Sequence, residues 1–228
     1  MGRPFRPFGV DHCVALLVIA ALAALGSVAA ASRLPHVARS VRATTAALTS
    51  TALVALMVLD ARDGVPWTSY APLQLCDLAV PIAALALTTR NALAFELTLT
   101  WSAAATLPAL LTPELVEGFP HGRFLLYFAQ HGGLIVATAV LLGMGLRPRA
   151  GTPRRALAWL NVTALAVGGV DARTGANFMY LRRTPSTSSP LDWFGPWPRY
   201  LIACEVIAFA IFTIACRPWR AAADRDVA

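Results

Sequence analysis

Long apolar blocks separated by short, arginine-bearing connections constrain this chain more than any other feature. The blocks span residues 12–31, 41–59, 72–87, 91–111, 124–146, 157–170 and 200–216. A helix needs about 20 residues to cross roughly 30 Å of hydrocarbon. Lipid offers no partner to an unpaired backbone group, so such blocks fold as helices packed on one another. The expectation is an all-α polytopic membrane bundle of about seven transmembrane helices, forming a single domain over 1–228. Blocks three and six are short, so they lean on their neighbours or extend into loops. Pro81 within block three predicts a kink. Residues 171–199 form the one long polar connection, rich in Pro, Ser and Thr and ending in an aromatic belt. Residues 217–228 form a short polar tail.

Composition supports this reading. Hydrophobic residues make up 57% of the chain and charged ones only 14%, with mean hydropathy +0.60. A soluble domain carries about a quarter charged residues. The net charge of +7 does not point to nucleic acid, because the arginines lie between apolar blocks and form no stripe along a polar helix. Cys13, Cys76, Cys204 and Cys216 lie in or beside apolar blocks without CxxC spacing, so no disulfide framework is inferred. The first block has basic residues before it and alanines after it, as a cleavable signal does. Asp11 and His12 at its mouth and the further spans favour a retained helix.

With seven spans, more of the 19 arginines fall on the side of the C-terminus, and there in short loops. The positive-inside rule then places the C-terminus in the cytoplasm and the N-terminus outside a cell membrane. On that topology, Cys76, His131 and Glu205 enter from the same outer side. At about 1.5 Å per residue they lie roughly 6, 10 and 8 Å below it. A thiolate is a nucleophile, and an adjacent imidazole can take its proton and return one to a leaving group. Glu205 would fix the ring tautomer, as the third member of a triad does. The plainer readings stay open: a buried cysteine is often a small hydrophobe, and a membrane histidine often only bonds neighbouring helices. His12 and Cys13 adjoin on one helix, do not face each other, and make no dyad. Asn161 begins a glycosylation sequon, but inside an apolar block. Four histidines without paired spacing suggest no metal site, although His121, His131 and Asp171 could meet in space. Gly132 and Gly133 would let another helix approach beside the ring.

Four stretches carry a family resemblance: Pro72-Leu-Gln-Leu-Cys-Asp77, Thr106-Leu-Pro-Ala-Leu-Leu-Thr-Pro113, Phe119-Pro-His121 with Phe128-Ala-Gln-His131, and Gly175-Ala-Asn-Phe-Met-Tyr-Leu-Arg-Arg-Thr-Pro185 followed by Leu191-Asp-Trp-Phe-Gly-Pro-Trp-Pro198. Over roughly 10–216 the chain resembles the YwaF-like integral membrane family, whose pattern has histidine where this chain has Gln74. The broader group includes eukaryotic acyltransferases acting on lysophospholipids and, more distantly, androgen-induced membrane lipid hydrolases with a Thr nucleophile and a His. The acyltransferase resemblance implies Cys76 and His131 as the reacting pair.

The functional expectation is thiol-dependent acyl transfer, or acyl-ester hydrolysis, on a membrane (lyso)lipid without a cofactor. Cys76 is the nucleophile, His131 the acid and base, and Glu205 the orienting group. His121, Asn177, Tyr180 and Trp197 shape the headgroup site. The alternatives are a carrier or channel lined by the same side chains, and a structural membrane protein.

Overall fold

The structure, a computed structural model, describes residues 4–185 and 190–223. Arg3, Arg225, the centre of the 171–199 connection and the end of the 217–228 tail lie outside the described residues. Seven long helices follow one another: α1 (Val10–Ala30), α2 (Pro35–Arg62), α3 (Leu75–Thr89), α4 (Ala92–Leu111), α5 (Gly122–Gly143), α6 (Thr152–Thr174) and α7 (Arg199–Ala223). Short helical turns lie at Trp67–Tyr70, Phe178–Tyr180 and Pro190–Phe194. The all-α membrane bundle expected from the apolar blocks is what forms. Five helices, α1, α2, α4, α5 and α7, are long and apolar enough to cross a membrane. α3 has 15 residues, about 22 Å of helix against roughly 30 Å of hydrocarbon. α6 has 23 residues, but Arg154, Arg155, Asp171 and Arg173 make it too polar to count with the five.

Burial identifies the centre. The most apolar window of α4 is 61% buried, against 11% for α1 and for α2. α1 and α2 flank α5, while α6 and α7 flank α4; α3 touches α2, α4 and α5. α1 turns Leu17, Leu22, Leu25 and Val28 outward, the surface a lipid-facing helix presents. Between helices, lipid tails remove most of the hydrophobic drive, so close packing matters. At Gly132 a Cβ would meet Ile19 of α1, and at Gly133 it would strike Thr49 of α2, as the glycine pair suggests. The closest approach to backbone lies at the other end of α5, where a Cβ on Gly143 would fall on the Ser27 carbonyl of α1.

Arginines fasten the face opposite the N-terminus. Arg42 donates from Nε to the Leu87 carbonyl at 2.8 Å, and Arg90 donates to the Met144 carbonyl at 3.0 Å. Both cover carbonyls that a helix end leaves unpaired. Glu96, 1% exposed, accepts from Arg149 Nε at 2.8 Å and from Arg155 at 2.7 Å, joining α4 to the α5–α6 connection and to α6. On the N-terminal face, Arg123 bridges Asp60 and Asp63 and ties α5 to α2.

Two predictions follow from this packing. Replacing Arg149 and Arg155 together by Ala strands a buried carboxylate and costs about 3–5 kcal/mol. Glu96→Gln costs less, because both guanidinium groups are partly exposed and can rehydrate. Thermal melting in detergent should rank the double variant below Glu96→Gln; the reverse order contradicts the clamp. Gly143→Val presses on backbone and should lower the melting temperature more than Gly145→Val, whose added Cβ has open space around it but a strained positive φ.

Candidate functional site

Pro108 shapes the site from within α4. A proline has no N–H to bond the residue four back and crowds that carbonyl. Four residues before it, α4 widens into a π-helical turn, Ser102–Thr106, in which Leu107 N–H bonds the Ser102 carbonyl. Such turns recur at functional sites. Thr106, fully buried, directs its hydroxyl across to Cys76 Sγ at 3.9 Å.

Cys76 lies in the first turn of α3, whose N-cap is Gln74. Its neighbour Asp77 accepts from Gln130 Nε2 at 2.7 Å. Gln130 immediately precedes His131 on α5, so this bond sets α3 and α5 at one level. The His131 ring, 8% exposed, stacks on Tyr127 with centroids 4.1 Å apart. Its Nδ1 lies 3.1 Å from the Tyr127 carbonyl. A carbonyl only accepts, so Nδ1 carries the proton and Nε2 keeps its lone pair. Tyr127 donates its hydroxyl to the Ala109 carbonyl at 2.7 Å, holding the end of α4 against α5. Cys76 Sγ and the imidazole share no hydrogen bond; Thr106 is the partner of the one and Tyr127 of the other.

The connection after α6 covers the start of α3. Gln74 Oε1 accepts from Met179 N–H at 2.7 Å, and this bond anchors the cover. Met179 and Tyr180 both have positive φ, 53° and 55°, a conformation costly for residues with a Cβ and one that surrounding contacts must hold. Tyr200 donates to the Tyr180 carbonyl at 2.6 Å, and Tyr180 donates to Glu114 at 3.1 Å. Burial, with Glu114 facing it, pushes the Tyr180 phenol well above its ordinary range, so it stays a donor.

The other expected residues have different partners. Glu205 accepts from Asn161 at 2.9 Å, tying α7 to α6. Its carboxylate therefore does not take the His131 Nδ1 position, because depth along a helix says nothing about the direction a side chain points. The same bond gives Asn161 a packing role. His121 caps α5, its Nδ1 accepting from Arg123 N–H at 3.2 Å. Asn177 accepts from Arg182 and Arg183 N–H and donates to the Arg183 carbonyl, bracing the loop. Trp197 Nε1 donates to the Leu181 carbonyl at 3.0 Å. Asp171 accepts from Phe178 N–H at 3.0 Å, and among the described residues no group of three His, Cys, Asp or Glu side chains is placed to hold a metal. His12 is fully buried, with Phe8 N–H on Nδ1 and the Leu110 carbonyl on Nε2, both at 2.8 Å. It staples the N-terminal segment to the end of α4, while Cys13 is exposed. Thr106, Tyr127, Gln130, Asp77 and Glu114 are absent from the sequence-derived site. Pro108 and the polar pair Gln130–His131 within an apolar block are the signals that could have pointed to them.

No curated protein and no solved structure matches the chain. The match to a protein family runs over residues 7–216, from just before α1 to within α7, and so includes every residue of this polar cluster. On that match the chain belongs to the TMEM164 family, a family of transmembrane proteins.

Proposed function

We propose that the chain is a membrane-embedded enzyme of acyl transfer or acyl-ester hydrolysis on a (lyso)lipid, with Cys76 as nucleophile and His131 as general base and acid. The observation that carries the reading is the half-buried polar layer in which Asp77, next to Cys76, is bonded to Gln130, next to His131. The resemblance to the YwaF-like family and its acyltransferase relatives supports it. So does the position of Cys76 in the first turn of a helix, whose dipole favours a developing thiolate.

The chemistry closes in two steps. His131 Nε2, directly or through one water, takes the thiol proton, and Cys76 Sγ attacks the carbonyl carbon of an acyl ester. The carbonyl–oxygen bond breaks, and the imidazolium gives its proton to the leaving alcohol. In the second step His131 takes a proton from an acceptor hydroxyl, of a lysolipid or of water. That oxygen attacks the thioester, the carbon–sulfur bond breaks, and the proton returns to Cys76. The Tyr127 carbonyl supplies the orienting role expected of Glu205. Tyr180, its hydroxyl given to Glu114, shapes the cover over the start of α3. The covering connection excludes water and meets the headgroup, with Asn177 and Trp197 fixing its shape and His121 holding the adjacent helix start. The face that carries the N-terminus is assigned to the outer side of the cell membrane.

Lysolipid acylation in vesicles tests this. Cys76→Ala and His131→Ala should each lower turnover by at least about 100-fold, as removal of a nucleophile or of a positioned acid–base group does. Turnover like that of the unaltered protein in both variants overturns the assignment. Glu205→Gln should leave turnover within about threefold, since its bond to Asn161 survives the change.

A further inference from the structure

The hydroxyl groups of α4 divide into two kinds. Thr98 and Thr100 each return a hydrogen bond to the carbonyl four residues back, at 2.8 and 2.7 Å. This is the ordinary habit of a helical threonine. The two hydroxyls of the π-helical turn do otherwise. Ser102 Oγ is buried with no partner, and Thr106 Oγ1 crosses to Cys76 Sγ at 3.9 Å. The Ser102 carbonyl, over which Thr106 would sit in an α-helix, bonds Leu107 N–H instead, so the turn is one residue wider and Thr106 is displaced from it. The wider turn thus frees a buried hydroxyl, and α3 brings a sulfur to it.

We propose that the π-helical turn exists to hold Thr106 as the hydrogen-bond donor to the Cys76 thiolate, making Thr106 part of the reacting group. A thiol accepts weakly and a thiolate strongly, so the bond strengthens as charge forms on sulfur. At a half-buried thiol such a positioned donor takes over part of the hydration and needs no reorganisation when the charge appears. This inference rests on the reading of Cys76 as a nucleophile, but it concerns the ionisation of the sulfur and can be measured without lipid. Within the acyl-transfer sequence Thr106 neither gains nor loses a proton: it donates to sulfur before attack and again when the carbon–sulfur bond breaks.

The test is alkylation of Cys76 by iodoacetamide in the full chain in detergent micelles, followed by peptide-resolved mass spectrometry across a pH series. Thr106→Val keeps the shape and removes the donor; Thr106→Ser restores it. Thr98→Val, which loses only a back-bond, serves as the control. At neutral pH, Thr106→Val should slow alkylation about tenfold, Thr106→Ser should recover most of the rate, and Thr98→Val should match the unaltered chain. At a pH where the thiol is fully ionised, all four should reach the same plateau. Equal rates for Thr106→Val and the unaltered chain at neutral pH overturn the proposal. So does a deficit that persists on the plateau, which marks lost access, or a failure of Thr106→Ser to recover. If the alkylation pattern holds but the unaltered chain transfers no acyl group in vesicles, the Thr106 role stands and the acyl-transfer reading falls.

Discussion

In hydrocarbon a polar group finds its partner inside the protein or goes without. This constraint sorts every polar side chain of the bundle. Near the face opposite the N-terminus, Arg42 and Arg90 cover helix-end carbonyls, and Glu96 is closed by Arg149 and Arg155. On the N-terminal face, Arg123 closes Asp60 and Asp63. These contacts are complete, and they hold the ends of the helices. The layer around Cys76 differs. Its groups are partnered from several elements at once: α3 gives Cys76 and Asp77, α4 gives Thr106, α5 gives Tyr127, Gln130 and His131, and the connection after α6 gives Tyr180.

The backbone departs from regularity at the same place. The π-helical turn of α4 carries Thr106, which faces Cys76, and the two positive φ angles at Met179 and Tyr180 lie in the cover bonded to Gln74, just before Cys76. Each costs free energy that a plain helix or a relaxed loop avoids. α3 is also the shortest of the seven long helices, and its start is covered by a loop instead of continuing outward. Irregular backbone at membrane depth is tolerated where it is enclosed by protein or lines a cavity. These departures gather around the start of α3, and the wider turn of α4 sets the Thr106 hydroxyl against the Cys76 thiol.

The bundle was legible because apolar length is a local property. Each block needs only its own residues to declare itself, and each became a helix. The edges were less so. α2 begins at Pro35 and not near residue 41, because Arg42 reaches the carbonyls at the end of α3 and hydropathy alone counts it as a loop residue. α6 likewise runs from Thr152, its charged first turn turned toward Glu96. Within the site, shared depth pointed to Cys76 and His131, but depth gives no azimuth. Hence Glu205, at a similar depth, faces Asn161, and Asp77, beside Cys76 in sequence, faces Gln130. The role of Thr106 depends on a helical distortion whose one written sign is Pro108. The loop residues His121, Asn177 and Trp197 read as ligand contacts because polar and aromatic groups in a loop suggest them. In the fold they mainly satisfy backbone groups.

The central claim is that Cys76 carries the acyl group. Brief incubation of the full chain with vesicles containing an acyl-ester phospholipid, followed by acid quench and peptide-resolved mass spectrometry, tests it most directly. The account predicts a fatty-acyl mass on the peptide containing Cys76 that is removed by hydroxylamine and lost in His131→Ala. Lipid turnover with no acyl adduct on Cys76, or with the adduct on another cysteine, would contradict it.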